Sequence, residues 1–256
     1  MTIAKRKPAQ PLYEMVYDAI KERISDGVLR PGDPVSEINL AEALSVSRTP
    51  VRDAIRRLIT ENLLVAPANG PIQVYAPRAA DIAEIYAARA AMESLAARMA
   101  AMTADPVFIQ QLRDICDNCL ELQQRSNLSG PMLSRDLVKE AARFNGMFHQ
   151  AILDKAGNAR LNQLIANLRP VIARYRHISL AHTEHLTESW NEHRRIIDYF
   201  VDCSPETVEQ LVRSHILKAG GRIVSAMMHL EGDDAPPTPS MILVLSESGL
   251  PMPATY

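Results

Sequence analysis

Little in this sequence could brace a fold covalently. Cysteine occurs three times in 256 residues, as Cys116, Cys119 and Cys203, and aromatic residues amount to 5%, with a single Trp. A disulfide framework is therefore not expected, and the core must come from aliphatic side chains, which the 47% apolar content supplies. Cys116 and Cys119 form a C-x-x-C pair, but they sit in a helical pattern with Leu112, Ile115, Leu120 and Leu122. No second ligand pair at zinc-finger spacing accompanies them, so they read as ordinary helix cysteines. Also missing are a basic leader with an apolar core and any apolar run that could span a bilayer; Met241 to Leu245 is far too short. A soluble, cytoplasmic chain with no membrane partner is expected. Nor does one sign of charge dominate: 28 Lys+Arg against 30 Asp+Glu, net −2, excludes a grossly cationic nucleic-acid coat.

What charge there is, however, is concentrated. Residues 47 to 58 hold four Arg against one Asp, and local field governs docking on phosphates more than net charge does. In this stretch Val51, Ile55, Leu58 and Ile59 recur at helical spacing and form an inner face. Arg48, Arg52 and Arg56 repeat every four residues along another. Ser47 is placed to cap the helix and Pro50 lies in its first turn, where a missing N–H costs nothing. Ser45-Val46-Ser47 separates it from an earlier helix, Asn39 to Leu44, so the pair reads as a helix-turn-helix with the cationic member second.

Around this element the chain divides into four parts. Residues 1–10, with Lys5-Arg6-Lys7-Pro8, read as a flexible basic arm. Residues 11–77 begin with an amphipathic helix carrying Leu12, Met15, Val16, Ala19, Ile20 and Ile24, stopped by Gly27. The turn-rich link Leu29 to Pro34 and the two helices follow. Asn62 then ends the second helix in a left-handed conformation, and Leu63–Ala66 and Ile72–Tyr75 flank Asn69-Gly70, a hairpin signal. Helix, helix-turn-helix, hairpin is a winged helix. Residues 78–230 show helical periods over 79–102, 107–125, 132–156, 158–180, 187–201 and 205–230. Six or seven helices on short links form an all-α bundle with room for a pocket, so the fold is mainly α. Residues 231–256 are a Pro-rich tail whose strand-like run, Met241 to Leu245, is either flexible or docked on a protein surface.

Three histidines stand out in the bundle: His149, with Asn145 one turn before it, His193 and His215. Inward side chains from facing helices are how a bundle builds a metal site, and neutral imidazoles favour zinc, nickel or iron over magnesium. Spacing alone leaves an alternative open, with each histidine satisfied by a carbonyl or water. His177, His182 and His185 surround a helix junction and read as solvated; Trp190 and Tyr175 read as packing residues.

Two resemblances sharpen this reading. Leu29-x-Pro31-Gly32, Glu37-x-x-Leu40-Ala41, Val46-Ser47-Arg48-Thr49-Pro50-Val51-Arg52-Asp53-Ala54-Ile55-x-x-Leu58 and Gly70 make residues 12 to 75 similar to the DNA-binding domain of GntR-family bacterial transcription regulators. Asn62 stands where that family usually has glycine. Tyr86-x-x-Arg89-x-x-x-Glu93 with Ala96-Ala97, Asn145-x-x-Phe148-His149 with Gly157-Asn158, Glu192-His193-Arg194 and His215 resemble the FCD effector domain of the FadR-like branch. That likeness implies His149, His193 and His215 as metal ligands and Arg89 as the partner of an acidic effector. The remaining ligand position, usually aspartate, is Asn145 here; a neutral amide is a poorer ligand, so weaker metal binding is expected.

The resemblance thus implies a homodimeric, non-enzymatic regulator that binds palindromic operator DNA, with Ser47, Arg48, Thr49, Pro50, Arg52, Arg56 and Gly70 at the interface. A divalent transition metal, zinc before nickel or iron, and a small carboxylate would occupy the helical domain. Two rivals are a metal-free regulator, in which Asn145 and the histidines bond the effector directly, and a metal-dependent enzyme.

Overall fold

The computed structural model describes residues 11–25, 28–125, 131–231 and 237–249. The basic arm at 1–10, the helix stop at Gly27 and the tail residues 232–236 lie outside them. The chain divides into two compact units, residues 1–76 and 77–256.

In the first unit α1 (Leu12–Ser25), α2 (Glu37–Ala43) and α3 (Arg48–Thr60) precede a two-stranded antiparallel ribbon, β1 (Leu64–Val65) and β2 (Gln73–Val74). The apolar repeats of α1 and α3 meet: Val16, Ile20, Val51, Ile55, Leu58 and Leu64 share one buried core. Burying each such aliphatic side chain contributes about 1.5–3 kcal/mol. The link before α2 lies along the ribbon, with Val35 N donating to the Ile72 carbonyl at 2.7 Å and Gly32 N to Val74 at 2.9 Å. Ser36 caps α2 by accepting from Asn39 N. Ser47 stands at the N-cap of α3 but makes no side-chain cap bond, contrary to expectation. The third residue of that helix is Pro50, which has no N–H to offer it. Asn62 takes the left-handed conformation, φ 54°, as its position predicted.

The second unit is entirely helical among the described residues. Its members are α4 (Ala79–Ala101), α5 (Pro106–Arg125), α6 (Arg135–Ala156), α7 (Ala159–Leu180), α8 (Thr183–Val201), α9 (Pro205–Glu231) and α10 (Pro239–Ser248). Capping explains the breaks: Ser134 accepts from Leu137 N, Gly157 ends α6 at φ +65°, and Asn158 accepts from Arg160 N and Leu161 N. The long helices α4 and α9 form the spine. They approach closely because a Cβ on Gly220 would lie 2.7 Å from Tyr86 Cβ.

Met241 to Leu245 is not strand-like. It is the middle of α10, capped by Thr238, and it buries Met241, Val244 and Leu245 at one-turn spacing against α9 and α4. Five apolar residues in succession carry no periodicity, so the run alone could not distinguish helix from strand; the Thr-Pro start decides it.

Candidate functional site

In α3 the inner face is buried through Val51, Ala54, Ile55 and Leu58, while Ser47, Arg48, Thr49, Arg52 and Arg56 are exposed and Pro50 is half-buried. Arg52 reaches across to α2, its Nη2 3.1 Å from Glu37 Oε2, yet its side chain stays 53% exposed. Such a pair is worth only about 0–1 kcal/mol, so a phosphate or base edge can compete for the guanidinium. Arg56 contacts Asp53 loosely at 3.8 Å. Arg57 is bound inward, bonded to Glu61 at 3.0 Å and stacked 4.1 Å from the Tyr17 ring centroid. Gly70 sits exposed in the loop between β1 and β2.

The second constellation lies inside the helical unit. His149 on α6, His193 on α8 and His215 on α9 are all buried, and one nitrogen of each lies within 4.8 Å of the others. His193 Nε2 is 3.1 Å from His215 Nε2, close to the separation of about 3.4 Å that two nitrogens sharing a tetrahedral zinc would have. The rings are aimed by their neighbours. Phe148 stacks on His193 with centroids 3.9 Å apart and Trp190 meets it edge-on at 4.7 Å. His215 Nδ1 bonds Glu192 at 2.7 Å, and Glu192 also accepts from Lys218 at 2.7 Å. Glu93 Oε2 lies 2.8 Å from His149 Nδ1. A carboxylate bonded to Nδ1, as Glu192 is to His215, holds the proton there and leaves the Nε2 lone pair facing the cluster.

The donor set fits a divalent transition metal. His149 Nε2 is buried with no hydrogen-bond partner, a condition that costs about 1–3 kcal/mol unless something else occupies the lone pair. Burial pushes His149 down to about 3, more than the Glu93 carboxylate can offset, and drives His193 well below the usual imidazole value. Both are therefore neutral at pH 7, the state in which imidazole coordinates.

Around the cluster is a small pocket, lined among others by Tyr86, Arg89, Asn145, His149, Arg176 and His215. Asn145 is buried on the pocket wall. Arg89 is buried too, not on the surface, and its Nε lies 2.6 Å from Glu93 Oε1. Burial alone would raise the Glu93 carboxyl, but Arg89 and His149 together hold it well below the usual carboxylate range. Arg89 is thus already neutralised by its own helix.

Sequence reading missed Glu192 and Arg176 and saw Glu93 only as the mate of Arg89. Glu192 directly precedes His193, and His215 and Lys218 share one face of α9, a spacing that pointed to a common acceptor. Arg176 carries no such signal. His182 and His177 are exposed; His182 begins α8 with its ring 5.1 Å from His185, apart from the cluster. Cys116 and Cys119 are free and buried, and burial pushes the Cys116 thiol up to about 12, so it offers no thiolate near neutral pH.

A winged helix-turn-helix in one chain with an all-helical domain defines a class, that of two-domain DNA-binding transcription regulators. Residues 12–74 match the family described as bacterial regulatory proteins, gntR family, and residues 84–218 match the FCD domain. The chain belongs to the GntR family, in its FadR-like, FCD-bearing branch. It is similar to the Nta operon transcriptional regulator of Aminobacter aminovorans, 30% identical over 190 residues that cover 74% of this chain and 83% of the relative. It is also similar to the transcriptional repressor RspR of Escherichia coli, 24% identical over 217 residues, 82% and 87% of the two chains. Among solved structures, E. coli McbR/YncC shares the fold, with a TM-score of 0.63 at 20% identity over 88% of this chain and all of that one. The protein is a DNA-binding transcription regulator and not an enzyme. No helix among the described residues is long and apolar enough to cross a membrane.

Proposed function

We propose that this regulator binds a palindromic operator as a homodimer and that a small carboxylate, lodged in the histidine pocket beside a divalent metal, controls its grip. The observation that carries the reading is the convergence of three buried imidazoles, two of them with unpartnered nitrogens, on a pocket that also contains two guanidinium groups. His149, His193 and His215 would hold the metal, with Asn145 as a weak fourth ligand and Arg89, paired with Glu93, on the pocket wall. When bound, the metal supplies a Lewis-acidic positive charge that attracts an anion. On the DNA side, Arg48, Thr49 and Arg52 contact base edges or phosphates, Ser47, Pro50 and Arg56 lie nearer the backbone, and Gly70 permits close approach at the minor groove. Two α3 helices, one per subunit, would enter successive major grooves about 34 Å apart.

For an effector to act as a switch, it must favour either the DNA-competent or the DNA-incompetent arrangement, since equal binding to both shifts nothing. Elemental analysis of untagged protein tests the metal: about one equivalent of zinc, nickel or iron per chain that is lost in the His193→Ala variant supports it. Metal-free protein that still answers a carboxylate in a gel shift favours direct effector bonding by Asn145 and the histidines.

A further inference from the structure

Arg176 reaches from α7 into the pocket, and its hydrogen-bond partner is neutral: Nη1 donates to the Ala142 carbonyl of α6 at 3.2 Å. Its Nε is buried and has no partner at all. Among the described residues no carboxylate lies within ion-pair distance of it, whereas the neighbouring Arg89 is closed off by Glu93 at 2.6 Å. Arg89, Arg176 and Glu93 together leave the pocket with one net positive charge before any metal enters.

Helix α6 is shaped around this guanidinium. Gly146 occupies the middle of that helix, where glycine costs about 1 kcal/mol relative to alanine. A Cβ there would lie 2.9 Å from Arg176 Nη1. The glycine leaves room for the end of this flexible side chain, and Glu93, the carboxylate that acts on it, is already bonded to Arg89. Burial, reinforced by the like charge of Arg89, pushes the Arg176 guanidinium down to about 10, so it still carries its proton near neutral pH. A half-buried, hydrogen-bond-poor cation with its Nε shut off from water is destabilising by itself. Its retention beside a pocket makes sense when a ligand completes it.

We infer that Arg176, rather than Arg89, is the residue that takes the carboxylate of the effector. This rests on the proposed effector-controlled reading. Ser179 and Ser189, buried on the same wall, offer hydroxyls to a second polar group such as an α-hydroxyl. The planar fork of arginine suits a carboxylate bidentately, and Arg89 acts behind it by holding Glu93 away from the incoming anion.

The test is thermal unfolding of the full-length, zinc-loaded protein with acetate, lactate or malate at about 10 mM, and with acetamide as the neutral control. At least one of the carboxylates should raise the melting temperature of the wild type, and acetamide should not. Arg176→Gln should weaken that carboxylate by about 10-fold or more, loss of a charge-assisted pair, while melting no lower than wild type without ligand, because a half-buried, hydrogen-bond-poor charge has been removed. Gly146→Ala, which only displaces the guanidinium, should weaken the same carboxylate without lowering the melting temperature. A wild-type carboxylate response in both variants overturns the inference, as does a wild type that no carboxylate stabilises. An Arg176→Gln variant that melts well below wild type without ligand also overturns it, since that marks a structural arginine. Gel shifts of the wild type run in parallel: failure to bind DNA sinks the regulator reading, whereas DNA binding with an unaltered Arg176→Gln response sinks the Arg176 assignment alone.

Discussion

Replacing Asn145 with Asp should tighten metal binding, and the size of the effect can be bounded from the pocket's charges. Asn145 is buried on α6, one turn before His149, on a wall shared with Arg89, Arg176 and His215. A new carboxylate about 4 Å from a divalent ion, at an effective dielectric of about 20, would gain roughly 8 kcal/mol in Coulomb energy. Most of this is returned. The carboxylate must leave water, which costs several kcal/mol, and it is repelled by Glu93, itself held ionised by Arg89 and His149. A net gain of about 1.4–2.8 kcal/mol remains, a 10- to 100-fold tighter site, the range that single coordination-sphere changes usually produce. Competition against a chromophoric zinc chelator reads this directly. The same substitution removes one unit of positive potential, so carboxylate affinity should fall as zinc affinity rises. Equal zinc affinity in Asn145→Asp and wild type would refute the reasoning, because it would place residue 145 outside the coordination sphere.

Three further outcomes follow from the geometry. Arg52→Ala should weaken operator binding by about 1–3 kcal/mol in a gel-shift titration, against at most about 1 kcal/mol of fold stability from the exposed Glu37 pair; wild-type affinity would move the reading face elsewhere. The metal-free protein should lose stability on acidification. His149 is depressed to about 3 in the fold, so below about pH 6.5 the unfolded chain takes up a proton that the folded chain refuses. Glu93, also depressed, adds to the loss below its unfolded value. Urea midpoints should fall between pH 7.5 and pH 5, and flat midpoints would contradict the neutral buried cluster. Gly221→Ala should loosen α10, since a Cβ would lie 2.5 Å from the Val244 carbonyl oxygen; a cost of about 1–3 kcal/mol in thermal unfolding and earlier proteolysis of α10 are expected.

Much of this molecule was legible before its coordinates, because the signals were local. The periodicity of Val51, Ile55 and Leu58 against Arg48, Arg52 and Arg56 requires one buried and one exposed face in any helix of that sequence, and α3 has both. Asn62 marks a left-handed backbone that few residues adopt, so the helix end was readable; the ribbon forms around Asn69-Gly70, but neither residue takes positive φ. The three histidines were singled out by helix context and family likeness. Residues whose roles depend on the crossing of distant helices could not be read that way. Arg176 meets α6 across thirty-odd residues of sequence, and only the missing Cβ of Gly146 hints at the approach. Ser47 misled because a cap needs a donor and Pro50 removes it. Met241 to Leu245 misled because an unbroken apolar run fits either period; the Thr238-Pro239 start and the packing against α9 together make it a helix.

The central claim is that one chain couples a grip on DNA to a small acid held in its helical domain. Titrating the zinc-loaded protein onto duplex DNA from the region preceding its own gene, with and without the carboxylate that most raises its melting temperature, tests this most directly. The account predicts saturable retardation of the duplex and a shift in apparent affinity on adding the acid of about 5- to 150-fold, the usual span of coupling between two sites. Superimposable curves with and without the acid would contradict the coupling, and a duplex that is never retarded would contradict the DNA-binding face as well.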